Sequence, residues 1–277
     1  MGSSKSFHIG CQSWGYDDWI TPAGGPTVFY PRGTRREDML RLYAQIFDTI
    51  EVDSTLYGVP PASSVESWYS GTPEGFLFSL KFPRVITHDH SLAPRTYPLT
   101  EEFVERAAGL REKLGMLLIQ LPASFEATKE NGLVVRDFLA QLPRGSRYAM
   151  EFRDAAWFTD WTFEELEKAG VALALVEGTW IDRDIVLDAV PRVAADHAYV
   201  RIMGERDLPV FDHIQRPRDE AIARWAAALE NLASSEVFVY VDNYFEGYAP
   251  ATAAKFMQRL DIPVRSPEIL DDQGTLF

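Results

Sequence analysis

The chain has 277 residues, 46% of them hydrophobic and 25% charged, enough apolar material for one large α/β barrel or two average domains. Its formal charge of −14 repels phosphate backbones at long range, so non-specific nucleic-acid binding is not expected. No apolar run reaches the ~18–20 residues that cross a bilayer, and the lone cysteine, Cys11, rules out an intrachain disulfide or thiolate cluster and fits a reducing cytoplasm.

Residues 1–6 contain no apolar signal core and read as a flexible lead-in. From there, short β-rich runs alternate with helical stretches. The predicted strands are 8–14, 49–57, 76–83, 115–122, 147–154, 171–178, 197–204 and 236–243. The first is followed by an irregular Pro- and Gly-rich loop, and then by a predicted helix with Met39, Leu42, Tyr43 and Ile46 on one face. Ser63-Ser64-Val65-Glu66 and Thr162-Phe163-Glu164-Glu165 read as capping boxes. Residues 179–196 are the least regular stretch and fit a short helix or a loop. Ile222, Trp225, Ala226 and Leu229 mark a late amphipathic helix, and a tail at 263–277 follows the last one. Eight β/α units in one domain over 1–277 predict a TIM-type (β/α)₈ barrel, irregular around strand six. A doubly wound open sheet is the runner-up, but the glycines of Gly10-Cys11-Gln12-Ser13-Trp14-Gly15 lack dinucleotide-loop spacing.

In a barrel strand, residues alternate between the lumen and the surrounding helices. The apolar parity faces the helices, so the polar parity must face inward. This places Gln12 and Trp14 inward on strand one, Glu51 and Asp53 on strand two, and Ser79 and Lys81 on strand three. It places Gln120 on strand four, Glu151 and Arg153 on strand five, Tyr199 and Arg201 on strand seven, and Tyr240 and Asp242 on strand eight. Strand six is ambiguous, with Glu177 at its end. These groups come late in their strands, at the C-terminal face where barrels hold their chemistry.

The motifs along the chain resemble the YecE-like proteins, also called domain of unknown function 72. They are Ile9-Gly10-Cys11-Gln12-Ser13-Trp14, Phe29-Tyr30-Pro31, Glu51-Val52-Asp53-Ser54-Thr55-Leu56-Tyr57, and Phe78-Ser79-Leu80-Lys81 with Ile86-Thr87-His88. They continue with Gln120-Leu121-Pro122-Ala123-Ser124-Phe125, Glu151-Phe152-Arg153 with Trp157, and Val239-Tyr240-Val241-Asp242-Asn243 before Gly247 and Ala249. The resemblance implies a TIM-like barrel and no established reaction. This chain departs from the pattern at Asp53 and Asp242, where the family often has Asn, and at Met203, where a His is common.

Three functional readings follow. The first is binding of a small anionic molecule or sugar phosphate. Lys81, Arg153 and Arg201 supply the charge, Arg84 and His88 reach in from the loop after strand three, and Gln12, Gln120 and Asn243 supply neutral polar groups. Trp14, Tyr57, Trp157 and Tyr199 form aromatic walls, while the other tryptophans read as core or helix packing. Glu51, Asp53, Glu151 and Asp242 are the candidate catalytic acids and bases. No cofactor is assigned. The second reading is a divalent-metal hydrolase or nuclease like the endonuclease IV and xylose isomerase barrels, with oxygens from Glu51, Asp53, Glu151, Glu177 and Asp242. The third is a non-catalytic accessory protein that docks on a sliding clamp through Gln273, Leu276 and Phe277.

Overall fold

Every predicted strand forms, and most stop short of their predicted ends. The structure, a computed structural model, describes residues 5–270. The strands are β1 (Ser6–Gln12), β2 (Thr49–Val52), β3 (Leu77–Lys81), β4 (Leu114–Gln120), β5 (Tyr148–Glu151), β6 (Val171–Glu177), β7 (His197–Ile202) and β8 (Glu236–Val241). All neighbours are parallel, and β8 pairs with β1 to close the ring. Closure excludes the open doubly wound sheet. Local turns account for the early stops. Ser13 adopts a left-handed φ of 64°, which ends β1 and breaks its alternation. Beyond β2, Ser54–Tyr57 winds into a 3₁₀ turn. Its Thr55 hydroxyl contacts the carbonyls of Val52 and Lys81, tying the ends of β2 and β3 together.

The helices are α1 (Arg36–Ile46), α2 (Ala62–Ser70), α3 (Tyr97–Ala108), α4 (Lys129–Gln141), α5 (Asp160–Ala169), α6 (Arg183–Asp188), α7 (Asp219–Glu230) and α8 (Ala249–Arg259). The predicted apolar faces of α1 and α7 are buried. Both predicted capping boxes are displaced. α5 is capped by Thr159, whose hydroxyl accepts from the Thr162 amide, and α2 starts at Ala62 after Pro61. The irregular stretch after β6 holds the short α6 and one 3₁₀ turn. None of these helices is long and apolar enough to cross a membrane.

Residues of the lead-in and of the tail are pinned. Ser6 already belongs to β1, and the Lys5 ammonium donates to the carbonyls of Leu229, Glu230 and Leu232 at the end of α7. Within the predicted tail, Arg265 donates to the Gln45 carbonyl and Leu270 is buried. Gln273, Leu276 and Phe277 lie outside the described residues.

A tyrosine stitches the first two strands. The Tyr43 hydroxyl, from α1, accepts from the Cys11 amide at 2.8 Å and donates to the Thr49 carbonyl at 3.0 Å. This close approach requires Gly10, because a Cβ there would sit 2.1 Å from the Thr49 oxygen. One apolar core lies between strands and helices. A second fills the lumen and includes Met116, Leu118, Ala149, Ala172, Ala174 and Phe238. The second core resolves strand six. Its alanines and Val176 face inward, and their small size leaves room for the long side chains of β7 and β8.

Candidate functional site

The lumen changes from apolar to polar on the way up. Above the Phe238 level, the Tyr240 hydroxyl lies 2.7 Å from the Thr49 hydroxyl and 2.8 Å from that of Ser79. The next hydroxyl, Tyr199, donates to Glu51 Oε2 at 2.7 Å. Glu51 is fully buried, as is Glu151 from β5.

Arg201, from β7, organises this level. Its Nε and Nη2 grip the Glu51 carboxylate side-on at 2.9 and 3.0 Å. Its Nη1 donates to Glu151 at 2.6 Å and to Gln120 Oε1 at 3.1 Å. Lys81 Nζ stands 3.1 Å from Glu51, and Arg153 Nε donates to Glu151 at 2.8 Å. Burial alone pushes the Glu51 carboxyl up, but Arg201 and Lys81 outweigh it and hold the group at about 2. The same contest, with Arg201 and Arg153 as the cations, holds Glu151 below the usual range. Burial wins at Lys81 and lowers its pKa despite Glu51. Breaking such a network at one partner strands a buried charge, which costs ~3–5 kcal/mol.

Lys81, Arg153 and Arg201 therefore meet two paired carboxylates, with the carboxyls of Asp53 and Asp242 close by. The uncommitted cationic donors lie at the rim. Arg153 spends only Nε on Glu151, and its guanidinium lies over the Trp180 ring at 3.7 Å. Among the described residues, its Nη groups have no hydrogen-bond partner. His88 is half-buried beside it, with its pKa lowered by burial and by the charges of Arg153 and Arg84. Arg84 is more exposed and pairs with Asp89. Asp53 and Lys81 lie close enough to couple electrically.

Across the mouth, Asp242 is buried and accepts from the Tyr244 amide at 2.8 Å. Burial raises its pKa, against the pull of Arg201, Lys81 and Arg206. Gln12 Oε1 and Asn243 Nδ2 are buried without hydrogen-bond partners. The Tyr16 hydroxyl approaches Asn243 without making a sound bond to it. The arrangement can hold an anion against Arg153, and among the described residues Asp242 is the one buried carboxyl at this level that is not consumed by an ion pair.

A family model described as "Protein of unknown function DUF72" matches residues 8–273. The chain belongs to the DUF72 family. It is 25% identical over 281 residues to UPF0759 protein YunF of Bacillus subtilis, covering 92% of this chain and 95% of that one. It is 26% identical over 266 residues to UPF0759 protein YecE of Escherichia coli K12, covering 95% and 89%. A DUF72 protein of Thermotoga maritima superposes with a TM-score of 0.75 at 23% identity, over 92% of this chain and 99% of that one. One from Enterococcus faecalis gives 0.73 at 20%, over 95% and 100%. A xylose isomerase domain protein of Alicyclobacillus acidocaldarius gives 0.52 at 14%, over 92% and 97%, a likeness of fold.

In this DUF72 chain the barrel brings Glu51, Lys81, Gln120, Glu151, Arg153, Tyr199 and Arg201 into one network, with Gln12, Asp53, His88, Asp242 and Asn243 around it. Met203, at the position of the family's common His, packs in the lumen core. Other candidates stand apart. Trp14 follows the Ser13 kink and packs edge-on against Trp68 of α2, 6.4 Å between centroids. Tyr57 is 81% exposed. Trp157 is core: it stacks on Phe152 and donates to the Phe125 carbonyl. Glu177 anchors helices, accepting from Arg183 Nε and Trp225 Nε1 at 2.7 Å each. The aromatic wall under Arg153 is instead Trp180, read from sequence as packing. Its signal was its place three residues after β6. Tyr16 and Arg206 carried no usable signal, because both lie in loops.

Proposed function

We propose that this protein binds a small molecule bearing a phosphate or carboxylate at the C-terminal mouth of the barrel, sugar phosphates among the candidates. The observation that carries this reading is Arg153. It lies over the Trp180 ring and is steadied through Nε, and among the described residues both its Nη groups are unspent beside His88. A guanidinium held this way is pre-organised for two parallel bonds to an anion. Low dielectric around the half-buried rim strengthens the short-range attraction of Arg153 for an anion.

The metal-hydrolase reading fits the donors poorly. Glu51 and Glu151 are each committed to cations, Glu177 is committed to α6 and α7, and three positive side chains stand nearby. Among the described residues, no group of three or more His, Cys, Asp or Glu side chains is placed to hold a metal ion.

Thermal unfolding and calorimetry with inorganic phosphate, sugar phosphates and divalent cations test the proposal. Phosphate-bearing ligands are expected to raise the melting temperature, by the equivalent of about 2.7 kcal/mol at a hundred times the dissociation constant. Arg153→Ala should weaken them about ten- to hundredfold, the range for a lost charge-assisted hydrogen bond. Stabilisation by divalent cations and by no anion would overturn the reading in favour of the hydrolase.

A further inference from the structure

Among the described residues, one amide atom of Gln12 and one of Asn243, at the adjoining ends of β1 and β8, lack a protein partner. Gln12 is 8% exposed and Asn243 is 1% exposed, yet Gln12 Oε1 and Asn243 Nδ2 make no hydrogen bond. A buried polar atom left unpaired is destabilising unless something fills its place. Asn243 cannot cure its own by flipping. Its Oδ1 is held by the Ala249 amide at 2.8 Å, and a flip would set N–H against N–H. The strands pair with Cys11 opposite Val241, so Gln12 and Asp242 are the next residues on each side of the same seam.

The seam thus offers an acceptor in Gln12 Oε1, a donor in Asn243 Nδ2, and the Asp242 carboxyl, of which, among the described residues, only Oδ1 is engaged, by the Tyr244 amide. The Tyr16 hydroxyl borders the same place, held near Asp242 and Asn243. Alternating donors and acceptors of this kind suit alcohol groups, since a hydroxyl donates once and accepts twice. They suit a second anion badly, because Asp242 and Gln12 Oε1 would repel it. Arg153 follows β5, four strands from β1 and three from β8 in the eight-membered ring. The two features therefore face each other across the mouth.

We propose that the site is two-ended and takes a phosphorylated polyol or sugar, its phosphate on Arg153 and its hydroxyls on Gln12, Asp242 and Asn243. This rests on the anion-binding reading above and adds the chemistry of the ligand's other end. It also accounts for orphaned amides that the ion-pair network leaves aside.

Isothermal calorimetry on the full chain with inorganic phosphate, n-butyl phosphate and erythritol phosphate separates the two readings. The last two probes share phosphate and chain length and differ in hydroxyls. Erythritol phosphate is expected to bind tighter than butyl phosphate by about tenfold or more, since a site built for hydroxyls leaves its polar groups unpaired against the alkyl analogue. In Gln12→Met, near in shape and without the acceptor, that preference should shrink severalfold. Equal affinity of the two probes for the wild-type chain, with inorganic phosphate still binding, would overturn the hydroxyl subsite and leave the anion site standing. No binding by any phosphate would overturn both. The wild-type comparison decides even if the variant does not fold.

Discussion

At Asp242, burial and charge pull in opposite directions. Burial raises the carboxyl's pKa, and Arg201, Lys81 and Arg206 do not fully reverse it. For a raised carboxyl the sign is fixed: keeping it ionised in the folded state is a cost above its folded pKa, relieved as falling pH supplies the proton. Asp242→Asn keeps an oxygen for the Tyr244 amide and removes the charge. The variant is expected to be more stable than wild type at neutral pH by about 1 kcal/mol, a common size for a stability–function trade-off. The gain should fade on acidification. Urea midpoints at neutral and acidic pH measure it, and a loss of stability at neutral pH would mean that the cations require Asp242 as a partner. At this scale the inward residues of the strands were legible because alternation is a local property. Trp14 and Trp157 were not, because each follows a break in its strand, where parity no longer predicts direction.

The join between β1 and β2 depends on an element that belongs to neither. With Gly10 bringing the chains close, the Tyr43 hydroxyl serves the Cys11 amide and the Thr49 carbonyl. Tyr43→Phe leaves both groups buried and unpaired while preserving the ring. A loss of about 1–3 kcal/mol is expected from chemical denaturation. Faster amide exchange at Cys11 would place the damage at the join, and unchanged stability would show that the strands re-pair without the hydroxyl. From sequence, Tyr43 belongs to an apolar helical face, and that much was right. Its second task was hidden, because the Cys11 amide and Thr49 carbonyl meet it only once α1 is packed on the barrel. Cap positions failed for a related reason: a capping box is a four-residue pattern, and Thr159 and Thr162 compete for the same role within four residues.

The ion-pair network makes the stability of the whole barrel depend on pH. Glu51 is held at about 2 against an ordinary value of 4.5, and Glu151 is also lowered. A depressed carboxylate stabilises the fold fully above its unfolded pKa and loses that contribution as pH falls through the folded one. The window for Glu51 therefore runs from about 4.5 down to about 2. The urea midpoint is expected to fall through this window, as Arg201 loses the charge of its buried partners. A midpoint that stays level down to the lower limit would contradict the network's contribution. The surrounding acidity, −14 overall, acts in the opposite sense, because protonating exposed carboxylates relieves self-repulsion.

The order of strands and helices, the inward faces of seven strands and the charged level near their ends are consequences of periodicity and composition, which operate over a few residues and can be read without coordinates. Ring closure, by contrast, pairs β1 with β8 across more than two hundred residues, a contact no local pattern encodes. Closure decides that Gln12 meets Asp242 and that Arg153 faces them from the far side. It also decides that β6, whose run of Ala, Leu and Val suits either face, turns its alanines inward. Loop residues such as Trp180 and Tyr16 gain their roles only when the strands that carry them converge, because backbone turns, rather than alternation, aim their side chains.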